Sequence, residues 1–394
     1  MDIFQIRIVF LLLNFANLFI FWIVGTKLRD AKSPKRYWML SLWCIVSYAV
    51  VMGLRFGRMI DYNVYFERYN FIGNHFAKSD YEVSFKAICW FLYNIDIPYW
   101  GFICICSILL IVAILFFLEK NRMSHPWALL LFLWESHNAE NFIRWFLSFA
   151  FFLFFVRFLQ DKKYKSAAVF AAIAATTHVG VVLLIAVVLA VRFCKRLLLP
   201  TWLSESLFVL SLLLGTISIM TFLNDYIQLL GINNGDGRVG FYLSQYGSIV
   251  SGNFGHAGLR GALDFTNNIR ILLAYSFPLF MIPILVKQSH LQVLFANLFI
   301  IGVIINPIFS QVEILNRFGE GLQFFSVVVS SVAYTYVFKN KRINNKMIQV
   351  WGGLSLIANL WPVISDIINR TEWYYMLYIW DAGSRNVLPY NYFV

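Results

Sequence analysis

The chain has 394 residues, of which 60% are hydrophobic and only 13% are charged. Soluble globular proteins carry about 25% charged residues, so this composition excludes a soluble enzyme. The mean hydropathy is +0.68, and apolar stretches recur along most of the sequence, which is typical of a helical protein that crosses a membrane many times. In that setting the net charge of +12 reflects the positive-inside bias, and we expect no nucleic-acid partner.

The apolar runs are continuous and of helix length, not short and alternating. They predict an all-α polytopic membrane protein with about 11–13 transmembrane or re-entrant helices. The first run is followed, not preceded, by basic residues, which predicts a true helix with its N-terminus outside. The predicted helices span residues 3–25, 37–54, 99–118, 126–138, 141–159, 166–177, 179–192, 202–223, 269–287, 290–306, 320–338 and 347–363. Segment 83–97 is amphipathic and is expected to lie in the outer interface.

Clusters of basic residues mark the predicted inner face. They lie at residues 27–36, 120–122, 157–165, 192–196, 287 and 339–346. Helices 126–138 and 166–177 would reach only about 20 Å, short of a ~30 Å hydrocarbon core, so we expect the chain to turn at polar residues beside protein or water. The whole chain is predicted to be one integral membrane domain. Its predicted outer parts are loops at about 55–98, 224–268 and 307–319 and a periplasmic C-terminal tail at about 364–394.

The loop after the second predicted helix carries a first candidate site. Arg55 and Arg58 are three residues apart and could hold one phosphate between them, because guanidinium groups bind phosphate with two parallel hydrogen bonds. Asp61 and Tyr62 would then orient a sugar hydroxyl. The same surface is predicted to include Tyr65 and Glu82. The alternative is a charged, aromatic belt at the membrane interface.

A second candidate site lies at the turn of the next short hairpin. His137, Glu140, Asn141 and Arg144 recur at helical spacing and would share one stripe. Ionisable groups at membrane depth are costly, so a functional role is their default interpretation. The alternative is an arginine and a carboxylate that neutralise each other for structural reasons.

The remaining candidates stand apart. His178 lies at the tip of an apolar hairpin, and the ordinary pKa of histidine suits a general base near neutrality; the alternative is a core histidine with its hydrogen bonds satisfied. A later outer set includes Arg238, Arg260, Arg317 and Glu320. The sequence contains no phosphate-binding glycine loop and no clustered metal ligands, so we expect neither a metal nor another cofactor.

Taken together, these motifs resemble a known family. Arg55, Asp61-Tyr62-x-x-Tyr65, Tyr81-Glu82, Asn141-x-x-Arg144 and His178 follow one another as in the EpsG-like family, which is similar to the Wzy-type O-antigen polymerases. The resemblance covers about residues 40–195. Three positions depart from the family pattern. Met59 stands where a glycine precedes the aspartate by two residues, Trp145 stands where glutamine is favoured, and Gly321 stands where a late Arg-x-x-x-Tyr motif, here beginning at Arg317, has its tyrosine.

The resemblance implies a GT-C-like glycosyltransferase in the bacterial inner membrane, with its active site facing the periplasm. Its substrates would be undecaprenyl-diphosphate-linked oligosaccharide repeat units, which it would join into O-antigen or a related surface polysaccharide. Arginines would stabilise the diphosphate leaving group, and Asp61, Glu140 and His178 are the candidates for the group that accepts the hydroxyl proton. Membrane lipid and a chain-length regulator are the further expected partners.

Two other functions fit part of the sequence. An O-antigen ligase would use the same donor and similar outward arginines. A lipid-linked oligosaccharide flippase or other transporter would also have about twelve helices, but transporters typically place polar residues near the membrane midplane and contain internal repeats. Here the polar residues crowd toward one face and the two halves of the sequence do not match, which favours the polymerase.

Overall fold

The structure is a computed structural model that describes residues 2–216, 265–310, 313–339 and 345–384. Over these residues the fold is all-α, as predicted, with only an isolated bridge in place of any strand. The helices are α1 Ile3–Arg29, α2 Pro34–Tyr48, α3 Ile60–Asn74, α4 Val83–Asn94, α5 Tyr99–Leu118, α6 His125–Glu135, α7 Ile143–Gln160, α8 Tyr164–Thr177, α9 Val181–Arg192, α10 Thr201–Thr216, α11 Phe265–Lys287, α12 Val293–Phe309, α13 Glu313–Gln323, α14 Ser326–Lys339 and α15 Lys346–Asn369.

The described residues include seven helical segments that are long and apolar enough to cross a membrane. They are Ile3–Arg29, Pro34–Gly53, Tyr99–Glu135, Ile143–Gln160, Phe265–Lys287, Leu315–Lys339 and Lys346–Asn369. Helices α9, α10 and α12 are apolar but shorter. These segments confirm a polytopic membrane protein.

The chain forms two compact units. The first contains residues 1–188, 334–340 and 360–394, and the second contains residues 189–333 and 341–359. In the first unit α1 packs against α2 and α6, α5 packs against α7, and α7 packs against α8. Helices α3 and α4 form a hairpin, and α4 contains residues 83–94 of the predicted amphipathic segment 83–97.

An aromatic core holds the α3–α4 hairpin against α5. The ring of Tyr69 stacks on Phe102 with centroids 5.3 Å apart, and Tyr62 meets Tyr99 edge to face at 5.0 Å. The Tyr99 hydroxyl donates a hydrogen bond to the Tyr62 carbonyl at 2.9 Å. Aromatic pairs of this kind contribute about 0.5–1.5 kcal/mol beyond their burial, so the hairpin is a firm support for the residues at the start of α3.

The basic loops of the first unit meet at one end of α5 and α7. Arg157 bonds Asp161 at 3.1 Å, Glu119 at 3.4 Å and the Phe116 carbonyl at 3.0 Å, while Arg122 bonds the Ala31 carbonyl at 2.8 Å. We call Glu119, Lys120, Arg122, Arg157 and Asp161 the Arg157 cluster. The sequence expectation that loops 27–36, 120–122 and 157–165 share one face agrees with this arrangement.

Hydrogen bonds between side chains cross-link the helices of the second unit. The Gln323 amide donates to the Tyr275 hydroxyl at 2.6 Å and pairs with Asn306. Gly319 lies so close to Asn306 that a Cβ there would be 2.7 Å from its Oδ1. Segment 307–319, which was predicted to be a loop, belongs largely to helices, since α12 continues to Phe309 and α13 begins at Glu313.

The predicted C-terminal tail also has structure. Residues up to Asn369 complete α15, and the chain continues through two short 3₁₀ turns, Trp373–Met376 and Ile379–Ser384. The Phe56 amide donates to the Leu377 carbonyl at 3.1 Å. An antiparallel bridge pairs Arg55 with Tyr378, so this segment is tied to the loop that follows α2.

Candidate functional site

The candidate site begins where α2 ends in a widened turn. Residues Ala49–Gly53 form a π-helical turn, which changes the usual pairing of backbone carbonyls. The Met52 carbonyl accepts a hydrogen bond from Arg55, and Gly53 lets α2 approach Cys104 of α5, since a Cβ would lie 2.9 Å from its Cα. Positive φ angles of 64° at both Gly57 and Met59 then reverse the chain into α3.

Glu140 lies at the centre of a buried ion cluster. Its Oε1 accepts from Arg58 at 2.9 Å, and its Oε2 accepts from Arg370 at 2.8 Å. Arg55 donates to the carbonyls of Ala139 and Glu140 at 3.1 and 3.4 Å. The Arg58 side chain is fully buried and the Glu140 side chain is 6% exposed, so the loop between α6 and α7 is held by three arginines.

Charge and burial act in opposite directions on Glu140. Burial raises the pKa of this carboxyl, but the positive charges of Arg370, Arg58 and Arg55 outweigh it and lower the pKa from its ordinary value of 4.5 to about 2. Glu140 is therefore a carboxylate at neutral pH with both oxygens engaged. Glu140 is therefore suited to hold the arginines in place. Its low pKa makes it a weak proton acceptor.

The C-terminal segment covers the buried arginine of this cluster. The Tyr378 ring lies over the Arg58 guanidinium at 4.4 Å, and the Phe10 ring lies at 5.2 Å. The Nε and Nη2 atoms of Arg58 have no hydrogen-bond partner among the described residues, so these rings supply cation–π contact in place of hydrogen bonds. The sequence contained no signal for Arg370 or Tyr378, because no local pattern links residues that far along the chain to Arg58.

A second cluster lies at the beginning of α7. Arg144 pairs with Glu82 at 2.5 Å, and both side chains are about 15% exposed. The Tyr81 ring lies under the Arg144 guanidinium at 4.7 Å. The other Glu82 oxygen accepts from the backbone amide of Val179 at 3.4 Å. We call Asp61, Glu82, Asn141, Arg144 and His178 the Arg144 cluster.

Asp61 joins this cluster through Asn141. The Asn141 Oδ1 accepts from the Asp61 backbone amide at 3.1 Å, and Asp61 is partly exposed in the first turn of α3. The negative charge of an aspartate is stabilised there by the backbone N–H groups of the helix N-terminus. The structure thus brings together the aspartate and the Asn-x-x-Arg motif, which are separated by 80 residues of sequence.

His178 lies at the C-terminal end of α8, next to the same cluster. The Gly180 amide donates to its Nδ1 at 3.0 Å, and its ring meets the Trp145 ring edge to face at 5.3 Å. With Nδ1 as acceptor, neutral His178 carries its proton on Nε2. In this tautomer Nε2 is a hydrogen-bond donor. Trp145, which departs from the family pattern, is buried and packs against that ring.

The other predicted site residues fall into three groups. Tyr62 and Tyr65 are buried in the aromatic core, and His137 stacks on Trp134 with ring centroids 4.1 Å apart. Arg317 and Glu320 belong to the second unit, on α13. Arg238 and Arg260 lie outside the described residues. Across the described ranges no group of three or more His, Cys, Asp or Glu could hold a metal ion.

Comparison with known families decides the class. The model of the EpsG family matches residues 37–376. The chain belongs to the EpsG family. Members of the EpsG family are Wzy-like polymerases and exopolysaccharide glycosyltransferases, so this is a membrane protein of polysaccharide biosynthesis. No curated protein and no solved structure matches the chain. The matched residues include α15 and Arg370, so the Arg144 cluster and the Glu140 ion cluster both lie within the EpsG region.

Proposed function

We propose that this EpsG-family protein is a GT-C-like polysaccharide polymerase that joins undecaprenyl-diphosphate-linked repeat units on the outer face of the bacterial inner membrane. The product is O-antigen or a related surface polysaccharide. The observation that carries the proposal is the Arg144 cluster, in which segments from α3, α4, α7 and the α8–α9 turn are joined by direct hydrogen bonds. Such convergence of ionisable groups at a helix end in a membrane protein supports a substrate site.

In the proposed reaction Asp61 acts on the acceptor sugar, whereas Arg144 and His178 act on the leaving group. Asp61 accepts the proton of the acceptor hydroxyl, whose oxygen forms a new bond to the anomeric carbon of the donor sugar. The bond between that carbon and the lipid diphosphate breaks, and the diphosphate leaves with the electron pair. Arg144 and the Nε2–H of His178 stabilise the negative charge on the leaving group, as preorganised donors do in a water-poor site.

Arg144 is suited to this role because its guanidinium group keeps hydrogen-bond donors that the described part of the chain does not use. One guanidinium nitrogen bonds Glu82, while Nε is buried and has no hydrogen-bond partner among the described residues. An arginine retains its charge at any working pH and can bind a phosphate oxygen pair in a fork, whereas a buried lysine can lose its proton. Arg55 and Arg58 also have unpartnered donors, but both are buried and held by carbonyls or Glu140, so we assign them to the support of the site.

The test is a turnover assay on the purified protein in lipid nanodiscs. The lipid-linked repeat unit isolated from the source organism is added, and the products are separated on a gel. We expect a ladder of lengthening glycans without added metal, and no transfer to lipid A–core. Transfer to lipid A–core alone would instead establish a ligase, and movement of the repeat unit across a vesicle membrane without new glycosidic bonds would establish a flippase.

A further inference from the structure

The first unit contains a cleft that the proposed reaction does not use. It lies between α1, α6 and the C-terminal end of α15, and it holds about 540 Å³ of empty space including its open mouth. Glu140 forms part of its wall, so the cleft borders the same loop as the Arg144 cluster.

The charges of the cleft disfavour a phosphate ligand. Its ionised lining residues are Glu140, Asp366 and Arg370, which sum to one negative charge. Arg370 is committed to both carboxylates, with distances of 2.8 Å to Glu140 and 2.7 Å to Asp366. A diphosphate would meet two carboxylates there and no uncommitted cation, whereas an uncharged ligand rich in hydroxyl groups would meet hydrogen-bond acceptors.

Other polar side chains that line the cleft can form hydrogen bonds with the hydroxyl groups of a ligand. The hydroxyls of Ser136 and Tyr48 line it, are buried and interact with each other. Asn14 and Asn17 on α1 line the same wall. A hydroxyl can donate one hydrogen bond and accept two, so this pair has capacity left for the hydroxyl groups of a ligand.

A flat aromatic pair forms another part of the wall. The rings of Trp134 and His137 are stacked with centroids 4.1 Å apart and an interplanar angle of 4°, and both residues line the cleft. The face of an aromatic ring carries partial negative charge, so it attracts the weakly positive C–H face of a sugar ring. From the stacked pair, the hydroxyls and the charge we infer that this cleft binds one sugar ring of the glycan substrate, which deepens the proposed function and rests on it.

Direct binding tests the inference separately from turnover. The probe is the repeat-unit oligosaccharide released from its lipid diphosphate, titrated against purified protein by saturation-transfer NMR. We expect it to bind the wild type, and Trp134→Leu to raise its Kd about 5- to 10-fold, the size of one lost aromatic contact. Trp127→Leu is the matched control, since Trp127 is also partly exposed on α6 but packs against Trp22 and does not line the cleft.

Each outcome bears on one of the two proposals. If the wild type makes polymer but the free oligosaccharide does not bind, or if Trp127→Leu weakens binding as much as Trp134→Leu, the sugar site is wrong. Displacement of the oligosaccharide by pyrophosphate would also contradict it, because it would show an anion site. If the oligosaccharide binds with the expected dependence on Trp134 while the lipid-linked form yields no polymer, the sugar site stands and the polymerase does not.

Discussion

The two ends of α7 carry arginines of different kinds. At the C-terminal end all three guanidinium nitrogens of Arg157 bond protein acceptors, and one of its carboxylate partners is only four residues away. At the N-terminal end Arg144 bonds a carboxylate 62 residues away and leaves Nε without a partner in the described structure. The two ends are about 25 Å apart, given 1.5 Å of rise per residue.

This difference teaches how to separate a structural arginine from a binding one. A buried arginine with every donor satisfied by its own chain has nothing left to offer a ligand, and its removal leaves buried carboxylates without a counter-charge. An arginine that keeps donors in reserve and is partly exposed, as Arg144 is, is positioned for a ligand. Arg58 also keeps donors in reserve, but its side chain is fully buried. By this criterion we propose a chemical role for the Arg144 cluster and a structural role for the Arg157 cluster.

The largest effect is expected at Asp61. If it accepts the proton of the acceptor hydroxyl, Asp61→Asn should lower kcat by about 10²- to 10⁴-fold, the usual contribution of a general base, with little change in melting temperature. Glu67→Gln is the control, because Glu67 is exposed on the same helix. The turnover assay measures both variants. A wild-type kcat in Asp61→Asn would show that Asp61 is not the general base.

Glu140 should behave as a structural group although it lies near the N-terminal end of α7, next to the Arg144 cluster. Glu140→Gln leaves Arg58 and Arg370 without their shared counter-charge, and loss of one partner from a buried ion pair costs about 3–5 kcal/mol. We expect a lower melting temperature in differential scanning fluorimetry, with turnover per folded molecule falling far less than in Asp61→Asn. An unchanged melting temperature together with lost turnover would instead make Glu140 the base.

The same residue predicts how stability depends on pH. Its carboxyl has a pKa of about 2 in the folded protein, lowered from 4.5 chiefly because three arginine charges outweigh the effect of burial. A lowered folded-state pKa stabilises the protein above pH 4.5, and this contribution is lost as the pH falls from about 4.5 toward 2. Thermal unfolding of wild type and Glu140→Gln between pH 7 and pH 3 measures it, and the difference between the two proteins should shrink as the pH falls. A constant difference would show that Glu140 is not ionised in the folded state.

The smallest expected effect concerns the turn before Asp61. Met59 has φ 64° and ψ 160°, a conformation that is essentially restricted to glycine and costs other residues about 1–3 kcal/mol. Met59→Gly should therefore raise the melting temperature slightly, and it restores the glycine of the family pattern. Met52→Gly, inside the π-helical turn at negative φ, is the control and should lower it. Destabilisation by Met59→Gly would show that the strained turn is not present.

The sequence was sufficient to predict much of this site but not how its charges pair. Asp61, Glu82, Arg144 and His178 were singled out because ionisable residues are rare in apolar surroundings, and the structure joins all four in one cluster. The departure at Met59 was also visible, and the positive φ angle of the turn explains why glycine suits that position.

What could not be predicted are the contacts that span the chain. Arg370 reaches Glu140 across 230 residues, and helical periodicity says nothing about partners at that distance. The C-terminal residues were taken for a tail because they follow the last apolar helix, although Tyr378 covers Arg58. For the same reason Arg58, which was predicted to bind phosphate, proved to be buried between aromatic rings.

The most direct test of the central claim replaces each of the two arginines by lysine. Turnover per folded molecule and melting temperature are measured for Arg144→Lys and Arg157→Lys with the same lipid-linked repeat unit. We predict that Arg144→Lys loses about 10²- to 10³-fold in kcat, as expected when a donor to developing charge is removed, and keeps its melting temperature. Arg157→Lys should lose stability and retain turnover. Equal losses of turnover in the two variants would contradict the claim that Arg144 acts in the reaction whereas Arg157 acts only in the structure.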